Sequence, residues 1–149
     1  MSSLLTENKT SSLQVGHPIP TISIMVVDDD NDDALLIKEA ISDISPKYQV
    51  IPINKSELVL QTLDTFNYTE LPSLLILDYN MPIISGLQLL QLLKANHRYT
   101  HIPVVVYSNS VYPKHKEACL QAGACVYLPK SATVKNLHED IKQLLSHCL

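Results

Sequence analysis

From Thr21 onward, short runs of β-branched apolar residues alternate with longer stretches whose apolar residues recur at helical period. Such alternation is expected of a parallel sheet covered by helices on both faces. Five strands are predicted, at Ser23–Val27, Tyr48–Ile53, Leu74–Leu77, Val104–Tyr107 and Cys125–Leu128. The third and fourth are apolar without interruption, as strands buried on both faces are, and should be central. Helices are predicted at Asp32–Ile44, Ser56–Phe66, Gly86–Ala95, Pro113–Ala122 and Thr133–Cys148. In the last, Val134, Leu137, Ile141, Leu144, Leu145 and Cys148 form one apolar stripe. The fold class is therefore α/β, a doubly wound five-stranded parallel sheet with five helices. Ser85 is suited to cap the third helix, Gly123 to follow the fourth, and Asp32 and Asp33 to meet the positive dipole end of the first.

The totals bound what such a fold can do. Residues 1–20 are polar and end in His17-Pro18-Ile19-Pro20, which predicts a loose tail before a single domain over residues 21–149. Apolar residues make up 46% of the chain and charged residues 17%, the balance of a chain that builds a core. A net charge of −4, with 11 Lys and Arg and no basic run, argues against direct contact with nucleic acid. Apolar runs such as Leu74–Leu77 are far shorter than the roughly 20 residues that cross a bilayer. The amino terminus has no signal pattern, and a cytoplasmic protein without membrane contact is expected. Cys119, Cys125 and Cys148 are an odd set without close spacing and are read as small apolar fillers. Histidines such as His17, His97, His101 and His115 are scattered and read as solvated or structural.

In an open parallel sheet, ligands bind beyond the carboxyl ends of the strands, where the strand order reverses. The first strand ends in Asp28-Asp29-Asp30, the third in Asp78 and the fourth in Ser108, and Lys130 follows the fifth. Carboxylates gathered at one edge repel unless a cation such as Mg²⁺ neutralises them. A carboxylate such as Asp78 can then attack phosphorus and form an aspartyl phosphate. A lysine ammonium and a hydroxyl, here Lys130 and Ser108, suffice to hold the equatorial oxygens.

The segments Val26-Val27-Asp28-Asp29, Leu77-Asp78-Tyr79-Asn80-Met81-Pro82 with Gly86, Val106-Tyr107-Ser108, and Lys130 together resemble the receiver domain of response regulators, over about residues 21–149. The resemblance implies the (βα)5 flavodoxin-like receiver fold of a single-domain, chemotaxis-regulator-like phosphoacceptor. It makes Asp78 the phosphoacceptor, and Asp28, Asp29, Asp78 and the Asn80 backbone carbonyl the holders of Mg²⁺, or of Mn²⁺. Mg²⁺ would bridge Asp29, Asp78 and the phosphoryl group. Ser108 becomes the switch hydroxyl, Tyr127 the switch aromatic and Lys130 the phosphate partner. The implied donor is a sensor histidine kinase or a histidine phosphotransfer protein. The response is expected to pass to a downstream protein through the face of helix four, strand five and helix five, since no output domain follows Leu149. The chain would be no enzyme toward an outside substrate.

Two positions depart from the family pattern. Ser131 stands where a proline usually follows the lysine, and a cis bond there would cost ~3 kcal/mol without one. Asn109 is bulkier than the usual neighbour of the switch hydroxyl and is expected to restrict small phosphodonors. Three other readings compete. Asp28, Asp30, Asp32 and Glu39 match an EF-hand loop, but Asp33 stands where that loop needs glycine and Ile22–Val27 reads as a strand. A pseudo-receiver would keep the fold and bind partners without being phosphorylated. A phosphatase would need a second acid where Asn80 stands.

Overall fold

The computed structural model describes residues 21–149, so the tail expected over residues 1–20, His17 included, lies outside the described residues. The strands are β1 (Ile22–Val27), β2 (Tyr48–Ile53), β3 (Leu74–Leu77), β4 (Val104–Ser108) and β5 (Val126–Pro129). They form one parallel sheet in the order β2-β1-β3-β4-β5. The helices are α1 (Asn31–Ile44), α2 (Val59–Asp64), α3 (Gly86–Lys94), α4 (Pro113–Gln121) and α5 (Val134–Cys148). As the sequence predicts, β3 is the middle strand and β3 and β4 are buried along their whole length. β1 shares that interior position with them. β2 carries Pro52, which lacks a backbone donor, and lies at an edge where one side of the strand needs none.

Alternation along the strands divides the core in two. Met25, Val27, Leu75, Leu77, Val104 and Val106 face α2, α3 and α4, where Leu63, Leu89, Leu90, Leu93 and Cys119 close the layer. Ile24, Val26, Leu74, Ile76, Val105 and Tyr107 face α1 and α5, meeting Ile37, Ile41, Leu137, Ile141 and Leu144. The chain changes faces between β1 and β3, so the crevice at their carboxyl ends is the topological switch point. No helix among the described residues is long and apolar enough to cross a membrane.

Several local expectations hold: Ser85 and Gln88 form a capping box at the start of α3, and Gly123 follows α4 with φ +110°. Others are corrected. The single helix predicted at Ser56–Phe66 is a 3₁₀ turn, Ser56–Leu58, followed by the short α2. Ser56 leaves the helical pattern because its buried hydroxyl donates to the carbonyls of Ile84 at 2.6 Å and Pro82 at 3.2 Å. The helix stops at Asp64, where the Arg98 guanidinium takes the carbonyls of Leu63 and Phe66. Cys119 is a buried filler as expected, but Cys125 is exposed because β5 starts one residue later, at Val126.

Candidate functional site

Parallel register brings the carboxyl ends of β1 and β3 level. Val27 pairs with Leu77, so Asp28 and Asp78 both extend one residue beyond the same row. Asp78 N–H donates to the Val27 carbonyl at 3.0 Å, and Asp28 N–H donates to that of Ile53 at 3.1 Å. Asp28 and Asp78 are buried, Asp29 is exposed, and carboxylate oxygens of the three lie within 4.8 Å of one another. Asn80 stands two residues further in the β3–α3 turn, and its carbonyl takes no hydrogen bond from the described backbone. Hard oxygen donors gathered this closely fit a hard divalent cation better than any softer metal.

Ser108 and Lys130 arrive from the other side. The Ser108 hydroxyl, fully buried, donates to Asp78 Oδ1 at 2.6 Å. Lys130 N–H is tied to the Ser108 carbonyl at 2.8 Å, which carries the lysine back over the sheet edge. Lys130 Nζ lies 3.8 Å from Asp78 Oδ2, but its shorter contacts are 2.7 Å to Asp28 and 2.8 Å to Asp33. The described peptide bonds are all trans. Burial opposes the Lys130 charge, yet the hydrogen bonds its ammonium donates to Asp28 and Asp33 outweigh it and raise its pKa.

Asp33 is the site residue that the sequence reading missed. Its place in the first turn of α1 reads as a dipole partner, and nothing in the local pattern says that a lysine 97 residues later reaches it. Asp30 was missed too, as the N-cap of α1, accepting from Asp32 N–H at 3.0 Å and Asp33 N–H at 3.2 Å. With a strand ending at Val27 and a helix starting at Asn31, Asp28, Asp30 and Asp32 belong to a strand end and a helix cap, and the EF-hand reading fails.

Tyr127 is buried, and its hydroxyl donates to the Ser110 carbonyl at 2.9 Å. Ser110 N–H in turn approaches Ser108 Oγ at 3.3 Å, and the Ser110 hydroxyl bonds to His115. The His115 ring stacks on Tyr79, with centroids 4.1 Å apart. Asp78 is thus joined through its chain neighbour Tyr79 and through Ser108 to the start of α4. On the other flank, Asn109 lines a small cavity with Asp33, Lys130 and Ser131.

Burial pushes the Asp28 carboxyl from 3.8 up to about 6, against the lowering hydrogen bond from Lys130. Because the folded-state value is the higher one, the folded protein holds the extra proton. Stability due to this group is present at low pH and is lost as pH rises through about 6. Asp28→Asn is therefore expected to stabilise the metal-free protein by on the order of 1–3 kcal/mol at about pH 7.5, shrinking toward about pH 4.5. It should also remove the stabilisation that a divalent cation held by the three carboxylates would give. Urea unfolding of both proteins with chelator, and then with Mg²⁺, checks this; a variant less stable than the parent at the higher pH contradicts it.

The model of the response regulator receiver domain matches residues 24–142. The polar-differentiation response regulator DivK of Brucella ovis is 28% identical over 125 residues, 84% of this chain and 97% of DivK. The chemotaxis protein CheV2 of Helicobacter pylori is 26% identical over 123 residues, 83% of this chain but 38% of CheV2, so the chain corresponds to well under half of that relative. Among solved structures, the phosphorylated cyanobacterial phytochrome response regulator RcpA superposes with a TM-score of 0.78 at 25% identity, over 86% of this chain and 94% of its own. The Mn²⁺-bound form of response regulator Rcp1 gives 0.74 at 26% identity, over 84% and 92%.

Proposed function

The chain belongs to the response regulator receiver domain family of two-component signalling, and on that premise we propose that Asp78 accepts a phosphoryl group. The observation that carries the reading is the company Asp78 keeps. A hydroxyl donates to it at 2.6 Å, an ammonium lies at 3.8 Å, and two further carboxylates converge on it. An Asp78 oxygen forms a bond to phosphorus while the phosphorus–nitrogen bond of a phosphohistidine breaks, and the histidine nitrogen leaves with the electron pair and takes up a proton. The donor is a sensor histidine kinase or a histidine phosphotransfer protein. Lys130 supplies positive charge to the phosphoryl oxygens, and Ser108 can turn its hydroxyl from Asp78 to one of them.

Asp28, Asp29, Asp78 and the Asn80 carbonyl are the residues to hold Mg²⁺ or Mn²⁺. That cation would supply further positive charge against the transferred group. The Mn²⁺-bound state of Rcp1 and the phosphorylated state of RcpA support both parts of the reading. The acceptor is the protein's own side chain, so the domain assists a reaction on itself and turns over no outside substrate. The response leaves by protein contact across α4, β5 and α5. The α4–β5 side of that face carries a groove lined by Tyr127, Pro129, Lys116 and the exposed Val111 and Tyr112.

Incubation with acetyl phosphate and Mg²⁺, followed by intact mass, is expected to add one phosphoryl group to the wild type and none to Asp78→Asn. If neither acetyl phosphate nor a phosphohistidine donor modifies the wild type, the chain is a pseudo-receiver that signals without phosphorylation, and the proposal falls.

A further inference from the structure

Lys130 sits in a four-residue connection between Pro129, the last residue of β5, and Val134, the first of α5. Beside this loop is a cavity of about 80 Å³ lined by Asp33, Leu36, Tyr107, Asn109, Lys130 and Ser131, among others. Apolar packing therefore does not hold this side of the loop. Hydrogen bonds hold it instead. The Tyr107 hydroxyl, on a ring only 1% exposed, accepts from Ser131 N–H at 3.2 Å and donates to Asp140 Oδ2 at 2.9 Å. The Ser131 hydroxyl donates to the same carboxylate oxygen. One phenol thus uses both its donor and its acceptor capacity, and one carboxylate from α5 holds two hydroxyls. Burial pushes the Tyr107 hydroxyl up to about 12, so it keeps its proton at neutral pH.

We propose that Tyr107, Ser131 and Asp140 form a polar clamp that fixes the β5–α5 loop and positions Lys130 over the Asp78 edge. The inference rests on the reading of Lys130 as the phosphoryl partner, and it adds three positioning residues that touch no reacting atom. Tyr107 is the chain neighbour of Ser108, and Ser131 that of Lys130, so the clamp joins the strand and the loop that bear the two groups serving the phosphoryl oxygens. The Lys130 N–H bond to the Ser108 carbonyl fixes one side of the lysine, and the clamp fixes the other. In a chain whose lysine is followed by serine, a side-chain network supplies the restraint. A buried network of this kind specifies one arrangement only while every member is satisfied.

The test uses Tyr107→Phe, which keeps the ring in the core, and Asp140→Leu, with Asp140→Asn as the conservative variant that retains an acceptor oxygen. Two properties are read. The first is the side-chain ammonium signal of Lys130 by NMR in the protein without metal or phosphoryl group, where a buried, ion-paired ammonium exchanges slowly. The second is uptake of the phosphoryl group from acetyl phosphate with Mg²⁺. Tyr107→Phe and Asp140→Leu are expected to broaden or lose the ammonium signal and to slow uptake about 10- to 100-fold, as a misplaced positioning group does. Asp140→Asn should recover most of both, and Mg²⁺ affinity should not weaken in any of them. A wild type that takes no phosphoryl group sinks the reading of Asp78 but leaves the clamp to be judged by the ammonium signal. Variants that keep a sharp Lys130 signal overturn the clamp.

Discussion

Lys130→Ala should cost the metal-free protein about 3 kcal/mol at about pH 8 and much less at about pH 5, because its ammonium is the nearest counter-charge to a buried carboxylate. The lysine side chain is 8% exposed and that of Asp28 only 2%. Removing the lysine leaves Asp28, Asp33 and Asp78 facing one another with no other cation paired to them among the described residues. Asp33 is 31% exposed and water screens much of its share, so the loss falls mainly on Asp28. Toward pH 5 the Asp28 carboxyl, already raised to about 6, is protonated in wild type and variant alike, and the ion pair no longer distinguishes them. Urea unfolding at the two pH values in chelator measures the difference, and repeating it with Mg²⁺ should recover part of the loss. An equal loss at both pH values would mean that Lys130 stabilises by packing its stem and not by its charge.

The sheet and the converging site were legible because both follow from topology. Once five strands run parallel, their carboxyl ends share an edge, and Asp28, Asp78, Ser108 and Lys130 need no further information to meet there. What was not legible depends on how elements are rotated against one another. Asp33 serves the site only because α1 turns its first residues toward the loop after β5, and an acidic residue in a first turn looks the same whether or not a lysine reaches it. Tyr107 reads as one more apolar residue of a buried strand, and its hydroxyl acquires meaning only when Asp140, 33 residues later, packs above it. Ser56 fits a regular helical period, and period alone ignores that its hydroxyl holds the loop after β3. Within that loop Ile83 is held at φ 71°, a conformation that strains a β-branched residue by about 1–3 kcal/mol. The carbonyls on either side of it are those that Ser56 bonds. Tertiary contact, and not local preference, sets the loop on which Asn80 stands.

Gly86 belongs to the sequence pattern around Asp78, and the structure supplies its physical reason. A Cβ there would collide with the Asp78 carbonyl oxygen and stand 2.8 Å from Tyr79 Cα. Both are backbone atoms, so no side chain can rotate away. Gly86 N–H also donates to the Tyr79 carbonyl at 2.8 Å, locking the first residue of α3 onto the residue that follows the acceptor. In an open helix, alanine in place of glycine would gain about 1 kcal/mol from propensity. Here the clash reverses the sign, and Gly86→Ala is expected to destabilise by about 2 kcal/mol, within the range for overpacking. The strain has two outlets, a shift of the α3 start or a shift of the Asp78 backbone. Because Asp78 N–H is tied to the Val27 carbonyl, the movement should be shared between them. A displacement near 1 Å at a reacting group can slow a reaction about 100-fold, so phosphoryl uptake should fall much further than stability does. Unfolding in urea and the rate of Asp78 adduct formation from acetyl phosphate, measured on the same preparation, separate the two effects. If Gly86→Ala is as stable as wild type and reacts as fast, α3 is free to retreat and its contact with the acceptor strand does not hold Asp78 in place.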